Sequence, residues 1–138
     1  MIRARIIAEA RNWIGTPFHH QGRVRGVGVD CAGLVIRVGQ EVGLSMREET
    51  GYSAVPDGIG IVQSCDAQLQ RIDTYQIGDV VLFRYGQHPQ HLGIVGDYVH
   101  GGHSLIHAYA PIGRVIETSF DAIWLRRVVQ AYRYPGVA

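Results

Sequence analysis

The chain has 138 residues, 46% of them hydrophobic and 18% charged, with a formal net charge of +1. That length suits one domain around one core, and so even a charge balance excludes capture of nucleic acid or an anionic membrane by bulk attraction. No apolar run approaches the roughly 20 residues of a membrane span.

The N-terminus, MIRARIIAEARNWIG, is too charged to be a secretory leader. Residues 2–14 instead place Ile6, Ile7, Ala10, Trp13 and Ile14 near helical spacing, and Gly15-Thr16-Pro17 stops that helix. Residues 18–29, FHHQGRVRGVGV, have no period and read as loop. Asp30 is then an N-cap for a helix from Cys31 to about Val42, with Leu34, Val35, Val38 and Val42 as its apolar stripe and Gly43 as its stop. Residues 45–60 form an irregular connection, and a short helix is expected over 62–70.

From Ile77 the character changes. Gly78-Asp79 is a turn signal, and VVLFRY, HLGIVGD, HSLIHAY, RVIETSF and VVQAYRY read as five strands. The short turns between most of them predict an antiparallel meander, and helices followed by strands make an α+β domain. With no repeat or linker, residues 1–138 are expected to form a single domain.

Two cysteines, Cys31 and Cys65, make no disulfide framework and no CxxC pair. Cys65 reads as structural. Cys31 sits where the first helical turn offers unpaired N–H groups and the positive end of the dipole, so its pKa is expected to fall below about 8.5. Small Ala32 and Gly33 leave its sulfur accessible, and its own N–H faces a developing oxyanion.

A nucleophilic cysteine needs an imidazole. Of seven histidines, His91 opens the strand HLGIVGD and His107 lies near the end of HSLIHAY. Alternation puts His91, Gly93 and Val95 on one face of their strand and Leu105, His107 and Tyr109 on one face of the other. If the strands pair, the two rings come within hydrogen-bond reach, as base and orienter. Two rival readings stand beside this one. His88, His91, His100, His103 and His107 offer zinc ligands, but their spacing fits no standard zinc motif. A non-catalytic binding module would keep each residue for structure alone.

The wording around these residues is specific. VDCAGLV, HLGIVGD and SLIHA closely resemble the motifs of the NlpC-type family of bacterial cell-wall cysteine peptidases. WIGTPFHHQG matches the upstream segment of that family, and IGDVVLF matches the strand before its catalytic histidine. The five motifs occur in family order from about Ile7 to Ser119. The GTPFHHQ stretch and the lack of attached domains look most like the phage-associated members.

This resemblance implies a papain-like fold, with N-terminal helices packed on a C-terminal antiparallel sheet of five to six strands and the nucleophile at a helix N-terminus. It implies a Cys-His-His triad, with Cys31 as nucleophile, His91 as general base and then acid, and His107 as orienter. His103 is an alternative third residue, because Gly101-Gly102 widens the loop before it. The implied substrate is the peptidoglycan stem peptide, cut at the D-γ-glutamyl–diaminopimelate amide, with no metal and no cofactor. Phage tail proteins are implied as partners, and the cell wall, the periplasm or the virion as the place of action after synthesis in the cytoplasm.

Phe18, His20, Asp30 and Arg25 are the residues expected to meet substrate, the arginine through stem-peptide carboxylates. One departure stands out: the family usually has Tyr where this chain has Phe18, which cannot donate a hydrogen bond. His20 or a backbone N–H is the expected substitute. Related folds also pass a thioester to an amine, so acyl transfer is a further alternative.

Overall fold

A computed structural model describes residues 1–49, 52 and 57–138. The first helix, α1, spans Ile2–Asn12 and buries Ile6, Ile7 and Ala10. Trp13 caps it and is 1% exposed. A small antiparallel hairpin follows, β1 (Arg23–Val24) and β2 (Gly28–Val29), inside the stretch expected to be loop. Two residues per strand are too few to show alternation. Helix α2 (Cys31–Glu41) buries Leu34, Val35 and Val38, and Gly43 follows it at φ 86°. Helix α3 runs from Gly60 to Gln68. Among the described residues no helix is long and apolar enough to cross a membrane.

The remaining elements are β3 (Gln70–Ile72), β4 (Val80–Tyr85), β5 (His88–Asp97), β6 (His103–Tyr109), β7 (Arg114–Ser119), α4 (Ala122–Leu125) and β8 (Val128–Arg133). The six-stranded sheet has the order β3-β8-β4-β5-β6-β7, and every neighbouring pair is antiparallel. The α+β class with helices before strands is as expected, but the meander stops at β7. The chain then crosses through α4 and returns on the far side of β4. The reason is burial: Val80, Val81, Leu82 and Phe83 are all fully buried, so both faces and both edges of β4 need cover. A simple meander would leave β4 at an edge. The sixth strand, β3, escaped the pattern because Gln70 and Arg71 are exposed and three residues cannot alternate convincingly. His91 lies inside β5 rather than at its start, since pairing with β4 extends back to His88.

The sheet separates two apolar layers. Ile6, Trp13, Leu34 and Val38 of the helical side pack on Leu82, Leu92, Ile94 and Ile106. The opposite face carries Val81, Phe83, Val95, Leu105, Phe120 and Trp124. Each fully buried aliphatic or aromatic side chain stabilises by about 1.5–3 kcal/mol, so both layers hold the register of β5 and β6. Asp79, in the turn before β4, fixes the start of the sheet. It is fully buried and accepts from Arg3 Nη1 at 3.0 Å, Arg133 Nη2 at 2.8 Å and the Gln76 N–H at 2.8 Å.

Candidate active site

The start of α2 is built around one carboxylate. Asp30 Oδ1 accepts from the Gly33 N–H at 2.8 Å, the capping bond that its position predicts. It also accepts from Arg23 Nη1 at 3.1 Å. Oδ2 accepts from the Gln21 N–H at 2.7 Å and from the Tyr52 hydroxyl at 2.8 Å. Arg23 in turn reaches the Tyr52 oxygen at 2.7 Å. Gln21 is held at φ 58°, a left-handed conformation that its bond to Asp30 helps to fix. This network locks the loop 18–29 onto the helix start. It also explains Gly33, since a Cβ there would lie 2.6 Å from Arg23 Nη1 and 2.6 Å from the Gly22 carbonyl oxygen.

The same turn aims Cys31 at the sheet. Paired register between β5 and β6 ends at Ile94↔Ile106, so on the His91 side of that point β5 is paired with β4 alone. Val95 turns its N–H and C=O toward the β4 side, bonding Asp79 and Gly78. By alternation His91 and Gly93 do the same, while residues 90 and 92 face the gap that β6 has left. The Cys31 sulfur occupies that gap. It lies 3.7 Å from the Gln90 carbonyl oxygen, and the Leu92 N–H is directed at it. It therefore sits against the backbone immediately on either side of His91.

On the second face of the sheet, His91 Nε2 and His107 Nδ1 are 2.7 Å apart. His107 Nε2 lies 3.0 Å from Thr118 Oγ1 on β7. His91 is 3% exposed and His107 is fully buried. The His91 ring is walled by Tyr85, nearly parallel to it at a centroid distance of 5.3 Å, and by Trp124 at 5.5 Å. Trp124 also meets His107 edge-on at 5.1 Å. Gly93 keeps this layer tight, because a Cβ there would fall 2.2 Å from Leu105 Cδ1.

Burial governs the ionisation of all three groups. Cys31 keeps part of its surface accessible, yet its surroundings desolvate the sulfur and push the thiol up to about 12. The adjacent Asp30 charge adds to the rise, against the N–H groups of Leu92, Ala32 and Cys31. The depressed thiol expected from the helix start is thus overturned, because the dipole is outweighed by desolvation and a neighbouring anion. Burial, with His107 and Arg127 adding to it, holds His91 well below its ordinary 6.5. Burial lowers His107 to about 4. At neutral pH the Cys31 thiol and both imidazoles are uncharged.

These shifts give stability a pH dependence of defined sign. Below pH 6.5 the unfolded chain protonates positions 91 and 107, while the folded chain does not until near pH 4 for His107. Stability is full above 6.5 and falls as pH drops through this window, with His107 contributing about 3 kcal/mol to the loss. Urea unfolding at pH 7 and pH 4 should show a fall for the wild-type chain and a smaller fall for His107→Gln. Equal falls would remove His107 as a source.

The other expected site residues lie apart from this line of groups. Asp30 is 2% exposed and fully engaged as a cap and loop anchor, so its carboxylate is spent within the protein. His20 is exposed, meets Tyr52 edge-on at 5.7 Å and has Nδ1 3.8 Å from Asp30 Oδ2. Phe18 is half-buried against the helical core and its N–H bonds the Gly113 carbonyl oxygen at 2.8 Å. Arg25 lies with Glu9, Arg37 and Glu41 on the flank of α1 and α2. His103 pairs with Asp97 at the other end of β6 and meets Tyr75 at 5.5 Å, so it is His107 that reaches His91. Among the described residues no three His, Cys, Asp or Glu side chains converge as metal ligands would. Sequence reasoning missed Thr118, Tyr85 and Trp124, which meet the two imidazoles. Thr118 does carry a signal, since it faces Leu105 across the β6–β7 ladder and therefore shares the face of His107.

The resemblance seen in the sequence extends to known proteins. Residues 15–133 match the NlpC/P60 family. The chain is 29% identical over 133 residues to the murein DD-endopeptidase MepS/murein LD-carboxypeptidase of Escherichia coli strain K12, covering 96% of this chain and 63% of that protein. It thus spans under two thirds of the curated relatives it matches. The crystal structure of the NlpC/p60 domain of the peptidoglycan hydrolase SagA superposes with a TM-score of 0.65 and 25% identity, over 94% of this chain and 97% of that one. An NlpC/P60 family protein of Bacillus cereus ATCC 10987 shares the fold, with a TM-score of 0.71 and 19% identity over 96% of this chain and 40% of that one. With the family match spanning all six strands of the sheet and the helix that carries the cysteine, the chain belongs to the NlpC/P60 family and has its papain-like α+β fold.

Proposed function

We propose that this chain is a cysteine peptidase that hydrolyses peptidoglycan stem peptides at the D-γ-glutamyl–diaminopimelate amide. The observation that carries the reading is the Cys31 sulfur lodged against the backbone on both sides of His91, whose Nε2 lies 2.7 Å from His107 Nδ1. Similarity to a murein endopeptidase and to a peptidoglycan hydrolase supports the substrate class.

The chemistry follows from the neutral resting state. The His91 base must carry its own proton on Nε2 and donate it to His107 Nδ1, leaving Nδ1 for the thiol. His107 then holds its proton on Nε2 and donates to Thr118 Oγ1, which sets the tautomer of both rings. As the substrate carbonyl arrives, the Sγ–H proton passes to His91 Nδ1 and Sγ bonds the carbonyl carbon. The tetrahedral adduct collapses with cleavage of the C–N bond, and His91 returns the proton to the departing amine. Water then attacks the thioester with His91 again as base, releasing a carboxylic acid and restoring the thiol.

Purified peptidoglycan incubated with the protein and analysed by mass spectrometry of its muropeptides tests this directly. The expected products end in D-glutamate and begin with a free diaminopimelate amine. Cleavage at the peptide cross-link would move the specificity to that named for the Escherichia coli relative. An unchanged profile would favour the non-catalytic module.

A further inference from the structure

Among the described residues two buried side-chain polar atoms have no hydrogen-bond partner, Arg37 Nε and the Tyr85 hydroxyl. Arg37 is satisfied through its other nitrogens, which bond Gln40 and Glu41. The tyrosine has a single polar atom, and that atom is orphaned. Natural proteins pair such groups, and an exception calls for a reason.

Its place supplies one. Tyr85 is the last residue of β4, and its ring lies at 20° to that of His91 with centroids 5.3 Å apart. Phe83, two residues earlier on the same face, meets His91 at 6.0 Å and Trp124 at 5.2 Å, so the strand end is pinned. An aromatic needed only to wall the imidazole would be satisfied by phenylalanine, as Phe83 is. The hydroxyl is surplus to packing, and Phe18 offers none.

We propose that the Tyr85 hydroxyl donates a hydrogen bond to the carbonyl oxygen of the amide under attack, as a second oxyanion donor beside the Cys31 N–H. This rests on the hydrolase reading above. Burial raises the ionisation of Tyr85, and the anionic forms of Cys31 and Tyr109 raise it further, so the group stays a protonated donor across the working range. Shielded from water, it has no solvent bond to break when negative charge develops on the substrate oxygen, and the low local dielectric strengthens the new bond.

Tyr85→Phe retains the ring and removes only the donor. Hydrolysis of peptidoglycan stem peptide should lose about 100-fold in kcat with KM within about threefold, the pattern for an interaction made in the transition state. Alkylation of Cys31 by iodoacetamide breaks a C–I bond and develops no oxyanion, so its rate should stay within about twofold of wild type. Unchanged kcat overturns the proposal. So does a parallel fall in hydrolysis and alkylation, which would make Tyr85 a packing partner of His91. A wild-type chain that cleaves nothing overturns the hydrolase reading and this proposal together, whereas a cleaving wild type with an equally active variant overturns the proposal alone.

Discussion

Cys31→Ala should abolish the proposed cleavage of peptidoglycan stem peptides and leave the fold in place. Alanine has no nucleophile, and removal of the nucleophile in a hydrolase of this kind lowers kcat by about 10⁶-fold, to the background of substrate binding. The structural cost is small for a reason particular to this site. The sulfur meets only backbone groups, the Gln90 carbonyl oxygen at 3.7 Å and the N–H groups of Leu92, Ala32 and Cys31, and the helix start is held by Asp30 through Gly33, Gln21, Arg23 and Tyr52 rather than by the thiol. Thermal unfolding of the variant should stay within about 4 °C of wild type, less than about 1 kcal/mol for a domain of this size. Cys31→Ser should be nearly as inactive, because a desolvated hydroxyl is harder to deprotonate than the thiol. Retained cleavage in Cys31→Ala would place the chemistry elsewhere in the molecule.

The unusual part is that burial keeps this thiol protonated at rest. A thiol pushed up to about 12 by burial and by Asp30 is a poor spontaneous nucleophile. His91, held well below 6.5, is equally reluctant to hold a proton alone. In the proposed mechanism one proton moves between them, and the opposite charges so created stabilise each other in a low-dielectric surrounding. On the proposed mechanism the resting thiol is protected from oxidation and chance alkylation, and full nucleophilicity appears when a substrate carbonyl is present to accept it.

How much of this was legible in the sequence depends on whether a residue's role is local. Asp30 as a cap, α2 behind it and the alternation that puts His91 and His107 on matching faces follow from spacing over a few residues, and the structure contains each of them. The return of β8 to β4 was not legible, because it is decided by the need to cover VVLF on both edges, a demand of the assembled sheet. The thiol's ionisation was misjudged for the same reason. The helix end is a local feature that sequence displays, whereas the burial of the sulfur and the inward turn of the Asp30 carboxylate, fixed by its partners, belong to the assembled fold. Thr118 and Trp124 reach the histidines from β7 and α4, elements distant from His91 in the sequence.

His91→Ala should lower kcat/KM by about 10⁴-fold at pH 7, the upper range for loss of a general base and acid. It also opens a space between Tyr85, Phe83 and Trp124, whose rings now pack on the imidazole at 5.3, 6.0 and 5.5 Å. Loss of a buried ring costs about 3–5 kcal/mol, so some loss of activity would follow from loosening alone. Two readouts separate the causes. In the wild-type chain the acid limb of kcat/KM should lie well below pH 6.5, since His91 remains neutral there and protonation is what disables it. In His91→Ala that limb should vanish, because the titrating group is gone. Added imidazole should restore activity partially and saturably by entering the vacated space between the rings, with His107 Nδ1 still available to orient it. A variant that keeps the wild-type acid limb, or that imidazole fails to rescue while the fold is intact, would mean that His91 serves the packing of the second face and that another group takes the proton from Cys31.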